Sequence, residues 1–449
     1  MTLKTDVAVI GSGFSAVALA LNLIDILPPA AKVSLVGKAA GQGRGIAYAT
    51  KAECHLLNVP AGRMSLFADR PNHFLAWLAE EGYPWSADDF VPRRIYGNYV
   101  RHCLDAALKR TGNRAALTLV DAEALAAEAA QDGGLVFSLS DGGRLSAHAA
   151  ALCTGAGTRR LPLEALPPAV ETFVVHDPWA DAWWERLPAD GDVLFVGTGL
   201  TTIDQALLLK RRGFRGTIHA VSRHGLLPQP HLARRADPVP ATLVPGEVSA
   251  MLKALRAQAA DAPDWRAVLD GLRPVTQGFW QGLSPAQRGR FLRHAASFWN
   301  VHRHRMAPSV AQEIEVLRRE EKLVVHRGRL AALRLENGRL SADLSGHPGK
   351  TLGAHLVVNC TGLDRCTVKA SPLLTGLAGR GLLQPDPFGL GIVVDDTAAV
   401  LPADGARAVR LFALGPLTAG QGWEITAVPD IRVQARAVAE RINADMAAG

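Results

Sequence analysis

Two stretches of this 449-residue chain repeat one another and confine it to a narrow set of folds. Asp6 to Leu23, DVAVIGSGFSAVALALNL, reads as a short buried strand (Val7 to Ile10), a glycine turn and an apolar helix that meets no proline before Pro28 and Pro29. Asp192 to Leu209, DVLFVGTGLTTIDQALLL, repeats it in register. Asp192, Val193, Gly197, Gly199, Ala206, Leu207 and Leu209 answer Asp6, Val7, Gly11, Gly13, Ala20, Leu21 and Leu23. A glycine turn between strand and helix lets the chain reverse sharply and lets a phosphate reach the backbone, while the helix N-terminus offers unpaired amides and partial positive charge. One such turn is as readily a packing device, but a second copy at domain-sized separation is far more specific. The expectation is an α/β protein with two Rossmann-like dinucleotide-binding domains.

Composition agrees and excludes other classes. Apolar residues make up 48% of the chain and charged residues 20%, which rules out wholesale disorder. The net charge of +7 comes from scattered arginines, with local clusters at Arg93-Arg94, Arg211-Arg212, Arg234-Arg235 and His302 to Arg305 and no basic tail. That pattern suits a solvated surface or small anionic ligands better than nucleic acid. The first strand begins within six residues, and no 18-residue uncharged apolar run occurs, so a cytoplasmic protein without a membrane partner is expected. The cysteines at 54, 103, 153, 360 and 366 form no CxxC, which suits reduced thiols. Cys360 and Cys366 flank a strand-end turn and make a poor redox pair. The histidines lack metal-ligand spacing, so no metal is expected, and no nucleophile elbow is present.

Between the glycine turns the chain alternates strands and helices. After the strand Lys32 to Val36 come Gly37 and Lys38, where a dinucleotide fold normally places an acid for the ribose hydroxyls, so Lys38 and Arg44 are candidates for the adenosine part. Gly41 to Tyr48 is too glycine-rich for a regular element and reads as a loop able to lie along a ligand. Two apolar strands end alike, at Thr154-Gly155 and at Thr361-Gly362. After the second glycine turn, the strand Thr217 to Val221 ends in Ser222-Arg223. A hydroxyl and a guanidinium suit a 2′-phosphate where a carboxylate would repel it, so NADPH is expected over NADH. Helical patterning over Val248 to Leu255, Asp264 to Leu272 and Pro285 to Trp299 makes residues 245–310 an inserted lid or substrate wall. His176 and Trp179 read as an interdomain brace.

The whole chain resembles flavoproteins with two dinucleotide-binding domains. More narrowly, GRGIAYAT (Gly43 to Thr50), HLLNVPAGRMS (His55 to Ser65), RRIYGNYV (Arg93 to Val100), VSRHGLLP (Val221 to Pro228), VNCTG (Val358 to Gly362) and GQGWEITAVPDIRVQA (Gly420 to Ala435) are similar to the bacterial FAD/NAD(P)-binding family related to the N-hydroxylating monooxygenases. The resemblance implies an FAD-binding domain in two parts, residues 1–165 and 336–449, around an NADPH-binding domain at 166–335. It implies FAD at Gly11, Ser12, Gly13, Phe14 and Ser15, with Thr154, Gly155, Gly362, Gly415, Trp423, Glu424 and Ile425 around it. NADPH would lie at Gly197, Thr198, Gly199, Leu200 and Thr201, with Ser222 and Arg223. Asn58 matches an amide beside the flavin ring, Arg63 a lysine that holds the amino-acid substrate, and Asn300 an asparagine near nicotinamide and substrate. Gly415-Pro416 stands where the family has Gly-Asp, which leaves the ribityl contact unassigned.

The function so implied is hydride transfer from NADPH to FAD, then reaction with O2 to a flavin C4a-hydroperoxide that N-hydroxylates a small amine or amino-acid-like substrate. The alternatives are an NADPH-dependent flavin reductase or oxidase without oxygen insertion, and a flavin-binding redox sensor without turnover. Arg223→Ala should weaken NADPH binding much more than NADH binding. Equal effects in a titration of both nucleotides would remove the basis for preferring the phosphorylated one.

Overall fold

A computed structural model describes residues 2–109, 114–163, 165–180, 182–234, 236–240, 247–346, 350–364 and 367–448. Arg235, Pro245 and Cys366 lie outside the described residues. The chain divides into two compact units. The first comprises Met1–Lys51, Val59–Gly157 and Arg365–Gly449, and the second Ala52–Asn58 and Thr158–Asp364.

The first unit is built on a sheet whose strands run in the order Ala116–Val120, Lys32–Val36, Thr2–Ile10, Arg144–Leu152, Leu135–Leu139 and Ala124–Ala129, with Leu411–Ala413 also pairing to Arg144–Leu152. The strands from Ala116–Val120 to Arg144–Leu152, and Leu411–Ala413, are parallel. The remaining two extend the sheet antiparallel. Val7, Ala8 and Val9 are wholly buried, as expected of a parallel strand covered on both faces. Helix Phe14–Ile26 follows the first glycine turn and packs on the C-terminal helix Val428–Ala448. Its sequence FSAVALALNLIDI is apolar nearly all round because every residue from Phe14 to Ile24 is buried. Helices His73–Glu80 and Arg93–Lys109 interleave Phe74, Trp77, Tyr96 and Tyr99, with ring centroids 4.8–6.2 Å apart.

The second unit carries a five-stranded parallel sheet in the order Leu323–Arg327, Ile218–Ser222, Val193–Val196, Leu356–Asn359 and Val174–Val175. An antiparallel meander, Arg329–Glu336, Arg339–Ser345 and Thr351–Ala354, lies beside it in sequence. Residues 336–364, given to the last part of the first domain in the sequence reading, therefore fall in the second unit, because Leu356–Asn359 pairs with both Val193–Val196 and Val174–Val175.

The inserted region is helical as expected: Val248–Asp261, Trp265–Gly271, Thr276–Gly282, Pro285–His294 and Ala296–Arg303. Asp264 caps the second of these through the Arg266 amide. A capping box of Ser284 and Gln287, with Pro285 in the first turn, starts the fourth. Ala295, at φ −111° and ψ −31°, divides what the pattern suggested was one helix from Pro285 to Trp299. Gly41 to Tyr48 also departs from the expected loop: a 3-10 turn spans Ala39–Gly41 and a short helix Gly45–Tyr48.

Not every positive-φ glycine is equally constrained. Gly391, at φ +106°, passes so close to the Leu417 carbonyl that a Cβ would stand 2.0 Å from its oxygen, while the Leu417 carbonyl also accepts from the Ile392 amide at 2.9 Å. Gly338, at φ +78° in the hairpin turn after Asn337, faces open space. Gly338→Ala should cost only about 1 kcal/mol, the left-handed penalty alone. Gly391→Ala should cost roughly 3 kcal/mol or more, adding a backbone collision. Denaturant midpoints would distinguish the two, and equal losses would overturn the assignment.

Candidate dinucleotide-binding sites

Each glycine turn is held by the same set of contacts within its own unit. In the first, the Gly11 amide donates to the Val36 carbonyl at 2.8 Å and the Cys153 amide to the Ile10 carbonyl at 2.7 Å. Gly11 has φ +138°, and a Cβ there would lie 2.3 Å from the Cys153 oxygen. In the second, the Gly197 amide donates to Val221 at 2.8 Å and the Cys360 amide to Val196 at 2.9 Å. Gly197 has φ +123°, and its Cβ would lie 2.1 Å from the Cys360 oxygen. Asp6 accepts the amide of Lys32 at 2.7 Å, and Asp192 that of Thr217 at 3.2 Å. The strand-end signature is thus Cys-Thr-Gly in both units, with Gly155 at φ +70° and Gly362 at φ +89°. The two thiols are buried, which pushes the Cys360 thiol up to about 12 and that of Cys153 higher still. They serve packing rather than chemistry.

Both turns fit a dinucleotide pyrophosphate. Helices Phe14–Ile26 and Leu200–Arg211 begin at Gly13 and Gly199 with no side-chain cap and no carboxylate in the first turn. A Cβ on Gly199 would meet nothing within 4 Å, and one on Gly13 only the Gly45 Cα at 3.6 Å. An anion can therefore approach the amides of Gly13, Phe14 and Ser15 in one unit and of Gly199, Leu200 and Thr201 in the other.

Surrounding each turn, the structure distinguishes residues that are free to meet a ligand from those that brace the loop. Gly37, Gly41 and Gly45 crowd the first turn; Cβ atoms there would come within 2.7 Å of Ser12 Cβ, 2.9 Å of Ser12 Oγ and 3.1 Å of Gly13 Cα. The Gly43 amide bonds the Ser12 carbonyl at 2.8 Å. The glycine-rich segment is thus shaped by the turn itself. Lys38 is exposed, and Arg44 donates to Asn98 at 3.0 Å. The acid missing after Lys32–Val36 has a counterpart one strand later: Asp121 accepts the Ala39 amide at 2.7 Å. Gly415, at φ +74°, sits over Ser15, and its amide donates to Gln434 at 2.9 Å. Trp423, Glu424 and Ile425 are buried, with Glu424 in the left-handed region at φ +66°. Gly420 abuts Asp386, whose carboxylate accepts the Phe388 and Leu390 amides.

In the second unit, Thr198 can donate to the Leu226 carbonyl, which only accepts, at 2.6 Å. The Ser222 hydrogen then points to Thr198 Oγ1 at 2.8 Å, while Ser222 Oγ accepts the Gly225 amide at 3.1 Å. Ser222 is a loop brace, and Arg223 is exposed, its guanidinium 3.4 Å from Ser297 Oγ. The His302 to Arg305 run is not a free basic patch: Arg305 is 3% exposed and ion-paired to Asp270. His176 is exposed and pairs with Glu171 at 2.6 Å, whereas Trp179 meets the edge of His55 at 5.6 Å.

Of the three residues expected nearest the chemistry, Asn58 and Asn300 belong to the second unit and Arg63 to the first. Arg63 stands half-buried on the 3-10 turn Ala61–Arg63. Asn300 lies on helix Ala296–Arg303, and its Oδ1 is buried without a partner among the described residues. The Asn58 carbonyl accepts from His231 Nε2 at 3.0 Å. His231 was invisible to sequence reasoning, since its partner lies 173 residues away and no local motif marks it.

Among the described residues, no group of three or more His, Cys, Asp or Glu could hold a metal, and no helix is long and apolar enough to cross a membrane. Fold and turns together define an α/β chain with two Rossmann-like units, each carrying its own glycine turn. Residues 8–157 match the family described as FAD-NAD(P)-binding. An uncharacterized protein of Mycobacterium tuberculosis strain H37Rv is 23% identical over 524 aligned residues, covering 98% of this chain and 96% of that protein. Among solved structures, the ornithine N-hydroxylase of Kutzneria sp. 744, with reduced FAD, NADP+ and L-ornithine, superposes with a TM-score of 0.67 at 15% identity, over 99% of this chain and 100% of that one. The L-lysine 6-monooxygenase of Pseudomonas syringae gives 0.65 at 17% identity over 98% and 99%. The FAD-bound cadaverine monooxygenase of Erwinia amylovora gives 0.67 at 15% over 98% and 94%. At these identities the likeness establishes the fold.

Burial, with Arg305 and Arg266 nearby, pushes the His231 imidazole down to about 4, against weaker opposing effects of the Asn58 carbonyl and Asp270. An unfolded histidine titrates near 6.5, so between about 4 and 6.5 the unfolded chain binds more protons. This contribution to stability is complete above about pH 6.5 and declines as pH falls towards 4, by at most about 3 kcal/mol. His231→Gln should flatten the pH dependence of the urea midpoint in that window; an unchanged slope would refute a buried neutral imidazole.

Proposed function

We propose that the protein is an FAD-dependent, NADPH-using oxidoreductase of the N-hydroxylating monooxygenase type, acting on a small amine or amino-acid-like substrate. The observation that carries this reading is the pair of equivalent uncapped glycine turns, one per unit, in a chain with the fold of ornithine, lysine and cadaverine hydroxylases. FAD would supply acceptance of a hydride from NADPH and activation of O2.

The chain's own residues orient, neutralise and shield. The amides of Gly13, Phe14 and Ser15 take the FAD pyrophosphate, and those of Gly199, Leu200 and Thr201 the NADPH pyrophosphate. Lys38 and Arg44 serve the FAD adenosine, and Thr154, Gly155, Gly362 and Gly415 give the cofactor close backbone approach. Arg223 neutralises the 2′-phosphate, since its exposed guanidinium meets no carboxylate among the described residues. Asn58 places its side-chain amide, which bonds no described residue, towards the flavin. Arg63 holds a substrate carboxylate, a role suited to a half-buried cation. Asn300 Oδ1, buried and unpartnered, accepts from the substrate amine or the nicotinamide amide. Trp423, Glu424 and Ile425, buried as a group, exclude water at the end of the site.

NADPH consumption by the flavin-loaded protein over a panel of amines and amino acids, under isotopically labelled O2, tests this. Label is expected in a hydroxylamine product. Peroxide alone with every substrate would replace the monooxygenase by an oxidase, and failure of NADPH to bleach the bound flavin would overturn both.

A further inference from the structure

Residues 52–58 belong to the second unit although the residues before and after them belong to the first. Two histidines hold this segment. His55, 2% exposed, bonds the Asp204 carbonyl at 3.1 Å, and Asp204 lies on the helix that starts at the second glycine turn. At the other end the Asn58 carbonyl meets His231 Nε2 at 3.0 Å. A carbonyl only accepts, so the His231 proton must reside on Nε2.

The backbone around His231 is held from several sides. Its own amide donates to the Met306 carbonyl, the Met306 amide to the Gln229 carbonyl and the Gln229 amide to the Val301 carbonyl, each at 2.8 Å. Arg266 Nε donates to the Pro230 carbonyl at 2.7 Å, and Arg266 is itself gripped by both oxygens of Asp264. The charged groups around the imidazole are Arg305, paired with the buried Asp270, and Arg266. Residues 229–231 therefore form a strap between two places: the Asn58 backbone, and the helix Ala296–Arg303 that presents the unpartnered Oδ1 of Asn300.

We propose that His231 is a positioning residue: through the 229–231 strap it sets the Asn58 amide and the Asn300 helix as one unit, so that the flavin-facing and nicotinamide-facing amides are aligned together. The proposal rests on the roles given to Asn58 and Asn300 above. Local hydrogen bonds cannot provide this alignment, because Asn58 and Asn300 come from distant parts of the chain and share no element. Loss of the imidazole donor frees the Asn58 carbonyl and relaxes the strap, whereas a glutamine, whose Nε2 reaches a similar distance, keeps the donor.

The test compares His231→Leu and His231→Gln in the full-length, flavin-loaded protein, reading amide hydrogen exchange and the visible flavin absorption. His231→Leu should raise exchange in residues 55–60 and 301–306 by about tenfold, the factor expected for roughly 1.4 kcal/mol of lost hydrogen bonding. It should also shift the flavin band and slow NADPH-driven flavin bleaching about tenfold with the NADPH KM nearly unchanged. His231→Gln should restore all of these. Unchanged exchange or an unchanged flavin band in His231→Leu would overturn the proposal, as would a glutamine variant that behaves like the leucine one. Neither exchange nor the flavin band requires oxygen insertion, so failure of the labelled-oxygen experiment would leave these readouts standing.

Discussion

The structure depends on the close passage of one glycine over the carbonyl at the end of a neighbouring strand. Gly11 over Cys153 and Gly197 over Cys360 leave no room for a Cβ, at 2.3 and 2.1 Å. That closeness brings the strand, the turn and the helix N-terminus into one compact corner. The positive φ at each glycine then aims the following amides outwards, and the next glycine keeps their face open. A side chain at the first glycine would push the strands apart, and one at the second would occupy the space a phosphate needs. Binding capacity and sheet packing thus come from the same backbone geometry in both units.

The buried cysteines follow from this. At the residue whose carbonyl receives the glycine, the side chain must be small, apolar and able to sit in a fully covered sheet, and Cys153 and Cys360 meet that need with thiols held neutral by burial. The equivalence of the two corners extends to Asp6 and Asp192, each of which accepts the first amide of the next strand or its approach. These shared contacts explain why residues so far apart in sequence repeat in register: each position answers the same steric or hydrogen-bonding demand.

Around the corners the two units diverge. The first adds an antiparallel extension, the aromatic cluster of Tyr96 and Tyr99, and a long C-terminal helix against Phe14–Ile26. The second adds a meander and, among the described residues, five inserted helices. Of the residues proposed to serve substrate and nicotinamide, Asn300 lies on an inserted helix and Arg63 on the 3-10 turn Ala61–Arg63, both away from the corners. The 229–231 strap bonds the last of the inserted helices through the Gln229 amide and the Val301 carbonyl.

The sequence by itself determined the two glycine corners, the parallel sheets, the helical character of 248–303 and the paired strand ends, because these rest on local periodicity and on residues whose backbone preferences act within a few positions. Only the tertiary structure decided the rest. It assigned residues 336–364 to the second unit through the pairing of Leu356–Asn359, turned Ser222 into a brace for Thr198, withdrew Arg305 into an ion pair with Asp270, and joined His231 to Asn58. Each of these is a contact between residues remote in sequence or a competition for one hydrogen, and neither composition nor spacing records which partner a side chain meets.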